Sequence, residues 1–241
     1  MKRALVTGST RGIGKAIALR LAKDGYEVIV HGAKNSIPAE VTKKEIEEIG
    51  GKATIEICDL CDIDATKAFA EKIGNIDVLV LNASLQYDTY FDDIKPEDAL
   101  NHYTCNAVAS LILMQQFVPY MKEQRWGRIV TIGSVNEKKP IPKLMAYSMS
   151  KAAQTNLVLS LSTQLARDGI TVNNVAPGVI YTDRNVDALS NPEYAKKVID
   201  AIPVGFYGEP NDCAGMVSLL CSEDGRYITG QSIYIEGGKS L

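Results

Sequence analysis

The chain has 241 residues, of which 46% are hydrophobic and 23% are charged, an ordinary composition for a globular protein with a sizeable core. Its net charge of −3 and its pI of about 5.5 give no electrostatic footprint for nucleic acid or for an anionic membrane. No apolar run approaches the roughly 18 residues of a membrane span. We therefore expect neither a nucleic acid nor a membrane as a partner.

The cysteines and the amino terminus predict a cytoplasmic protein. Five cysteines are an odd number in a chain too large to need disulfides, which favours a reducing compartment. Only a short apolar stretch follows Lys2-Arg3, so we expect no secretory signal. Cys58 and Cys61 form a C-x-x-C pattern that could be a redox pair or half a metal site. Because no second such pair exists, we favour one buried cysteine at a strand end, one loop cysteine and no metal.

The first predicted element is an apolar strand, 2–6, which runs directly into a glycine-rich turn. Helical spacing of apolar residues follows, so the turn lies between a strand and a helix N-terminus. Glycines there let backbone N–H groups approach a pyrophosphate, and the helix dipole favours its negative charge. The alternative is a glycine-rich turn without a ligand. The turn consists of Thr7, Gly8, Ser9, Thr10, Arg11, Gly12, Ile13 and Gly14.

The second predicted strand, 26–30, ends in the segment that selects the dinucleotide. An acidic residue there would bind the adenosine ribose hydroxyls, whereas a basic residue would suit a 2′-phosphate. Residues 31–34 contain no acid, Lys34 lies among them, and Arg11 is directed there from the glycine turn. We predict NADP(H) in preference to NAD(H). The alternative is that both cations are solvated surface charges.

Strands and helices alternate along the rest of the chain. This alternation predicts a single α/β domain, with a doubly wound, seven-stranded parallel sheet and helices on both faces. In such a sheet the ligand lies beyond the carboxyl ends of the strands, where the strand order reverses. The polar segment 183–205 is helix-prone without strong periodicity. Further helices are predicted at 37–49, 63–73, 96–122, 144–168 and 211–223, and further strands at 52–57, 77–81, 128–132, 171–175 and 232–235.

Tyr147 and Lys151 are four residues apart, which places them on one face of a helix. A neighbouring ammonium would lower the pKa of the phenol from its usual ~10, so that the phenol exchanges protons near neutrality. This spacing is common, and the surrounding candidates give it meaning. Those at predicted strand ends are the glycine turn, His31 to Lys34, Asp59, Asn82, Ser134 and Pro177-Gly178.

Taken together, these motifs resemble the short-chain dehydrogenase/reductase family over almost the full chain. The likeness is strongest to 3-oxoacyl-acyl-carrier-protein reductases and to related sugar and alcohol dehydrogenases. It implies a single-domain Rossmann fold, a homotetramer packed through the helices at 96–122 and 144–168, and a substrate lid at 183–205. The matching motifs are Thr7-Gly8-x-x-x-Gly12-Ile13-Gly14, Asp59-Leu60, Asn82-Ala83, Asn106, Ser134, Tyr147-x-x-x-Lys151 and Pro177-Gly178-Val179-Ile180-x-Thr182.

The resemblance also implies a role for each matching residue. Tyr147 would be the general acid in carbonyl reduction and the base in alcohol oxidation, while Lys151 would lower its pKa and hold the nicotinamide ribose. Ser134 would hydrogen-bond the substrate oxygen, where negative charge develops. Asn106 would hold a water that links Lys151 to solvent. The implied cofactor contacts are residues 8–14, Lys34, Asp59, Leu60, Asn82, Ala83, Tyr147, Lys151, Pro177, Gly178, Ile180 and Thr182.

Two departures from the family pattern bear on the substrate. Ser84 stands where a glycine is usual, and Asn136-Glu137-Lys138-Lys139 stands where fatty-acyl reductases have small residues. We expect Gln86, Asn136 and Glu137 to contact a small polar carbonyl or polyol, such as a sugar derivative. The alternative is that these side chains face solvent or a neighbouring subunit.

The predicted activity is NADP(H)-dependent interconversion of a carbonyl and a secondary alcohol. One alternative is a 3-oxoacyl-acyl-carrier-protein reductase. A non-catalytic NADP-binding regulatory protein and an epimerase or dehydratase are alternatives of other classes. The intact set of Asn106, Ser134, Tyr147 and Lys151 favours the oxidoreductase.

Overall fold

The structure is a computed structural model that describes residues 1–241. One sheet of seven parallel strands runs through the molecule, with helices on both faces. The strands are β1 (Arg3–Val6), β2 (Glu27–Gly32), β3 (Lys52–Ile57), β4 (Val78–Leu81), β5 (Gly127–Ile132), β6 (Ile170–Pro177) and β7 (Ser232–Ile235). The helices are α1 (Gly12–Lys23), α2 (Ile37–Glu48), α3 (Ile63–Ile73), α4 (Pro96–Tyr103), α5 (Ala109–Gln124), α6 (Met145–Leu165), α7 (Val186–Leu189), α8 (Pro192–Asp200) and α9 (Pro210–Cys221).

The strand order is β3-β2-β1-β4-β5-β6-β7, and each neighbouring pair is parallel. The chain winds outward from β1 to β3 and then returns to place β4 on the other side of β1. This reversal opens a crevice beyond the carboxyl ends of β1 and β4. The predicted doubly wound, seven-stranded sheet is confirmed.

Two hydrophobic clusters hold the helices against the sheet, one on each face. Side chains of a strand alternate between the faces, so Ala4 and Val6 of β1 contribute to one cluster and Leu5 to the other. Helices α1, α2 and α9 pack on the first face, and α3, α5 and α6 pack on the second. Burial on both faces explains the continuous apolar runs of the central strands.

The predicted long helix over 96–122 is present but contains a π-helical turn that the sequence did not predict. Helix α4 ends at Tyr103, a π-helical turn occupies Thr104–Val108, and α5 then continues to Gln124. A π-turn carries an extra residue and redirects a side chain, and such turns are frequent at functional sites. Here it contains Asn106, whose amide bonds to the chain beyond β4.

The segment 183–205 contains the short helices α7 and α8, in agreement with its predicted helical tendency. No helix in the chain is both long enough and apolar enough to cross a bilayer.

Candidate active site

The turn after β1 forms a cradle for a ligand, and three of its positions require glycine. Gly8 and Gly12 have left-handed φ angles of +64° and +53°. A Cβ on Gly8 would lie 2.9 Å from the Ala83 Cα, and one on Gly14 would collide with the Gly8 carbonyl. The turn therefore presents bare backbone at the N-terminus of α1, as a bound pyrophosphate requires.

Asn82 fixes the turn from the end of β4. Its Nδ2 donates to the carbonyls of Thr7 and Gly8 at 2.9 and 3.0 Å. The Thr7 hydroxyl in turn accepts from the backbone N–H groups of Asn82 and Ala83 at 2.9 and 3.0 Å. The sequence placed Asn82 and Ala83 among the cofactor contacts, and in the structure they also hold the two strand ends together.

His31 supports the same turn from behind. Its Nδ1 accepts from the Gly8 N–H at 2.9 Å, so the proton of the neutral ring is on Nε2, which lies 3.0 Å from the Cys58 carbonyl. Burial lowers the pKa of His31 to about 4. The imidazole is therefore a neutral strut at physiological pH, a role that its position in the sequence did not reveal.

The residues expected at the adenosine end lie after β1, β2 and β3. Arg11 and Lys34 are exposed and form no ion pair in this structure. The Asp59 carboxylate accepts from the Cys61 N–H at 3.0 Å, while the neighbouring Leu60 is buried. A glycine cradle flanked by two unpaired cations fits a dinucleotide with an additional phosphate.

Tyr147 and Lys151 lie in the first two turns of α6 and are both buried. The Lys151 Nζ is 5.9 Å from the centroid of the Tyr147 ring, so the two residues share a helix face as predicted. Nζ donates to the Ile132 carbonyl at 2.7 Å and to the Gln154 Oε1 at 3.0 Å. Burial lowers the pKa of Lys151 to about 7, and the charge of Arg184 acts in the same direction.

Burial raises the pKa of Tyr147 above its ordinary value. The charge of Arg184 and the neighbouring Ser134 hydroxyl partly offset this rise, so the strongest lowering influence comes from Arg184 and not, as expected, from Lys151. Ser134 itself caps a 3₁₀ turn, Val135–Glu137, where its hydroxyl oxygen accepts from the Asn136 N–H at 3.2 Å. Its hydroxyl proton therefore remains available to an oxygen near Tyr147.

Asn106 ties the π-turn to both sides of the site. Its Oδ1 accepts from the Leu85 N–H at 2.8 Å, and its Nδ2 donates to the Leu85 carbonyl at 3.0 Å and to the Ser150 Oγ at 2.8 Å. These bonds connect the loop after β4 to helix α6 between Tyr147 and Lys151. The predicted tetrad residues are thus brought to one edge of the sheet.

Comparison with known proteins agrees with this geometry. The family model described as short chain dehydrogenase matches residues 2–193. The chain is 37% identical to glucose 1-dehydrogenase of Gluconobacter oxydans, over the whole chain and 92% of that protein. It is also 37% identical to a 3-oxoacyl-acyl-carrier-protein reductase of Rickettsia conorii, over 98% of this chain and 96% of that protein. The chain belongs to the short-chain dehydrogenase family.

A solved structure of the same family gives the fold comparison. The 3-oxoacyl-acyl-carrier-protein reductase of Agrobacterium tumefaciens, crystallised with NADP bound, is 36% identical and has a TM-score of 0.95. The match covers 98% of this chain and 93% of that one. As a member of the short-chain dehydrogenase family, the protein is an oxidoreductase.

The motif Pro177-Gly178-Val179-Ile180-x-Thr182, at the end of β6, lies over the glycine turn. Pro177 ends β6, the Gly178 N–H donates to the Ile235 carbonyl at 2.9 Å, and Ile180 is buried. A Cβ on Gly12 would lie 3.4 Å from the Thr182 Cγ2, so the segment crosses close to the cradle. The residues implied as contacts for the two ends of the cofactor therefore face one crevice.

Glu137, one of the expected substrate contacts, is engaged within the dehydrogenase itself. Its Oε1 accepts from the Asn174 Nδ2 at 3.0 Å, the Ser232 Oγ at 2.9 Å and the Tyr234 hydroxyl at 3.3 Å. Its Oε2 accepts from the Thr155 Oγ1 at 2.6 Å. The carboxylate thus ties β6 and β7 to α6 behind Ser134.

The other two expected contacts differ from each other. The side chain of Asn136 is half-buried and forms no hydrogen bond. The Gln86 Oε1 accepts from the Arg184 Nη1 at 3.2 Å. Arg184 was missed from the sequence, although its place two residues after Thr182 was a usable signal.

His102 is a second residue that the sequence did not indicate. It is buried in α4, and its Nδ1 lies 2.7 Å from the Asp98 carbonyl. Its Nε2 accepts from the Tyr87 N–H at 3.0 Å. The ring lies edge-on to Tyr87 and to Tyr147, with centroids 4.9 and 6.5 Å away. His102 therefore forms part of the wall behind Tyr147.

Proposed function

We propose that this dehydrogenase interconverts a carbonyl and a secondary alcohol with NADP(H). The observation that carries the proposal is the burial of Tyr147 and Lys151 on one face of α6, beside Ser134 and at the edge that bears the glycine cradle. The similar reductase with NADP bound and the unpaired cations Arg11 and Lys34 support the choice of cofactor.

The roles follow from the chemistry of each group. A bound nicotinamide cofactor supplies or accepts the hydride. The glycine turn would hold the pyrophosphate, and Lys151 would hold the nicotinamide ribose. The Tyr147 hydroxyl would give its proton to the substrate oxygen during reduction and take it back during oxidation. Ser134 would donate a hydrogen bond to the same oxygen, where negative charge develops.

The pKa values suggest how protons would reach this oxygen. Lys151, with a pKa of about 7, is balanced between its charged and neutral forms near neutrality. It can therefore accept and release a proton beside Tyr147 without a large energetic penalty. Asn106 would position a water between Lys151 and solvent. For this, its hydrogen bonds to Leu85 would have to open and make room for the water.

We propose a small polar carbonyl or polyol as the substrate class. The polar rim formed by Ser84, Gln86 and Arg184 supports this choice, because a long acyl chain would gain little from it. The identity to 3-oxoacyl-acyl-carrier-protein reductases supports the second candidate, reduction of an acyl thioester.

A steady-state screen that follows NADPH absorbance tests these proposals. We expect turnover of small polar ketones or sugars, and a higher kcat/KM with NADPH than with NADH. Faster reduction of acetoacetyl thioesters than of any sugar or small ketone would establish the second candidate. Binding of NADPH without turnover of any carbonyl would favour a regulatory protein, and product formation without net cofactor consumption would favour an epimerase or dehydratase.

We further propose a homotetramer, with segment 183–205 as a substrate lid. Exposed apolar residues on α4 and α6, including Leu100, Met149 and Leu159, support burial of these helices against other subunits. Light scattering of the purified protein tests the assembly, and a monomer at micromolar concentration would contradict it.

A further inference from the structure

Arg184 carries a positive charge at the rim of the site and forms no ion pair with an acidic residue. Its Nη1 donates to the Gln86 Oε1 at 3.2 Å, and its Nη2 lies 3.3 Å from both the backbone carbonyl and the Oγ of Ser84. These acceptors are neutral, and no carboxylate lies within ion-pair distance of the guanidinium. The nearby Asp88 is already paired with Lys143 at 2.5 Å.

A hydrogen-bonded turn sets where Arg184 can reach. The Thr182 N–H donates to the Asn185 Oδ1 at 3.0 Å, and the Asn185 Nδ2 donates to the Ile180 carbonyl at 2.8 Å. The Asn185 N–H also donates to the Thr182 carbonyl at 3.0 Å. Bonds on both sides of Arg184 therefore hold its backbone over the crevice, with the side chain directed towards the loop after β4.

The guanidinium acts on both central residues of the site. It lies close enough to Tyr147 to influence that hydroxyl through its charge and as a hydrogen-bond donor. It also disfavours the charged form of the buried Lys151. The charges of Arg184 and Lys151 repel each other, and an anion bound at Arg184 would offset this repulsion.

We propose that Arg184 binds the carboxylate of a small oxo or hydroxy acid, whose carbonyl or alcohol lies at Tyr147 and Ser134. Two parallel N–H groups of a guanidinium match the two oxygens of a carboxylate. Gln86 and Ser84 hold the Arg184 guanidinium in place before the ligand binds. The proximity of Arg184 to Tyr147 limits the spacer between the carboxylate and the reacting carbon to a few bonds. This assignment rests on the proposed carbonyl–alcohol chemistry and narrows its substrate class to small acids.

A matched pair of substrates separates charge recognition from catalysis. Acetoacetate and acetoacetamide have nearly the same size and reacting ketone but differ in charge. With saturating NADPH, we expect wild-type kcat/KM to be about ten-fold to a hundred-fold higher for the acid, in keeping with charge-assisted hydrogen bonds. In Arg184→Gln the preference of kcat/KM for the acid over the amide should disappear, chiefly through a higher KM for the acid.

The control is Arg226→Gln, which removes an exposed arginine whose side chain forms no hydrogen bond or ion pair. This variant should keep the wild-type preference. Equal losses for acid and amide in Arg184→Gln would overturn the proposal, because they would mean that Arg184 acts on Tyr147 and not on the carboxylate. Equal rates for acid and amide in the wild type would overturn it as well.

Equilibrium binding keeps this test independent of turnover. If neither ketone is reduced, the proposed activity on these compounds fails, and titration of tartrate into the enzyme–NADP⁺ complex decides the anion site. Weaker tartrate binding by about tenfold in Arg184→Gln, with unchanged NADPH affinity, would support the site. Unchanged tartrate affinity, or a matching loss of NADPH affinity that assigns Arg184 to the cofactor, would overturn it.

Discussion

The His31 strut makes a quantitative prediction about acid stability. The folded protein holds the imidazole neutral, with a pKa of about 4, whereas the unfolded chain has the ordinary value of 6.5. Between these values the unfolded state binds a proton that the folded state does not. The contribution of His31 to stability is therefore fully present above pH 6.5 and is lost as the pH falls through that window.

The size of the effect follows from the two pKa values. A difference of one pKa unit corresponds to about 1.4 kcal/mol, so the full contribution is about 3 kcal/mol. Linkage gives a loss of about 2 kcal/mol by pH 5 and about 3 kcal/mol by pH 4. Protonation of the His31 Nδ1 would also place two N–H donors, its own and that of Gly8, opposite each other. The glycine turn should therefore loosen with the same pH dependence.

Histidine NMR provides a direct assay, because the chain contains only two histidines. The ring signals are assigned with His102→Gln, and the signal of His31 is then followed from pH 7.5 to 4. We expect it to stay in the neutral form, protonated on Nε2, down to about pH 5. The pH dependence of the unfolding free energy should be shallower in His31→Gln than in the wild type. A His31 that titrates near pH 6.5 would contradict a neutral, buried imidazole.

Two further predictions concern the glycine turn and the carboxylate of Glu137. Gly14→Ala should weaken NADPH binding at least tenfold in a fluorescence titration and lower the melting temperature, because its Cβ would collide with the Gly8 carbonyl. The matched control is Gly215→Ala in α9, where the added Cβ meets nothing within 4 Å. This change should be neutral or slightly stabilising. Equal effects of the two changes would contradict a specific role of Gly14 in the glycine turn. Glu137→Ala should lower the unfolding free energy by about 2 kcal/mol, since it leaves several donors without an acceptor. Glu137→Gln should lose less than Glu137→Ala in the same denaturant titration, and identical losses would argue against the network.

The regular elements could be predicted closely because local signals bound them. The predicted strand 52–57, helix 63–73 and strand 232–235 coincide with β3, α3 and β7. Helix α3, for example, begins after Asp62, whose carboxylate caps the Ala65 N–H, and ends at Gly74 with a φ of +70°. Such capping residues directly flank the helix in the sequence, so the sequence alone indicates where the helix begins and ends.

The parts that could not be predicted depend on distant partners. The π-turn at Thr104–Val108 leaves no periodic signal, and its Asn106 is held by Leu85, 21 residues earlier. Likewise, Arg184 gains its place from Ser84 and Gln86, about 100 residues away along the chain. Periodicity cannot report such contacts, because the folded topology alone brings them together.

Glu137 illustrates how a residue of a local motif can gain distant partners. Four polar residues after Ser134 predicted a substrate-facing wall. In the structure the carboxylate accepts hydrogen bonds from Asn174, Ser232 and Tyr234, which lie on strands much later in the chain. A contact between Glu137 and substrate stays a prediction, as does one for Asn136.

In the proposed mechanism the Tyr147 hydroxyl transfers the proton in carbonyl reduction. The most direct measurement compares single turnovers of the wild type and Tyr147→Phe, both preloaded with NADPH and mixed with a ketone that the wild type reduces. We predict that the variant binds NADPH within about threefold of the wild type but loses at least about a thousandfold in the rate of NADPH oxidation. NADPH oxidation by Tyr147→Phe at a rate close to that of the wild type would contradict the assigned role.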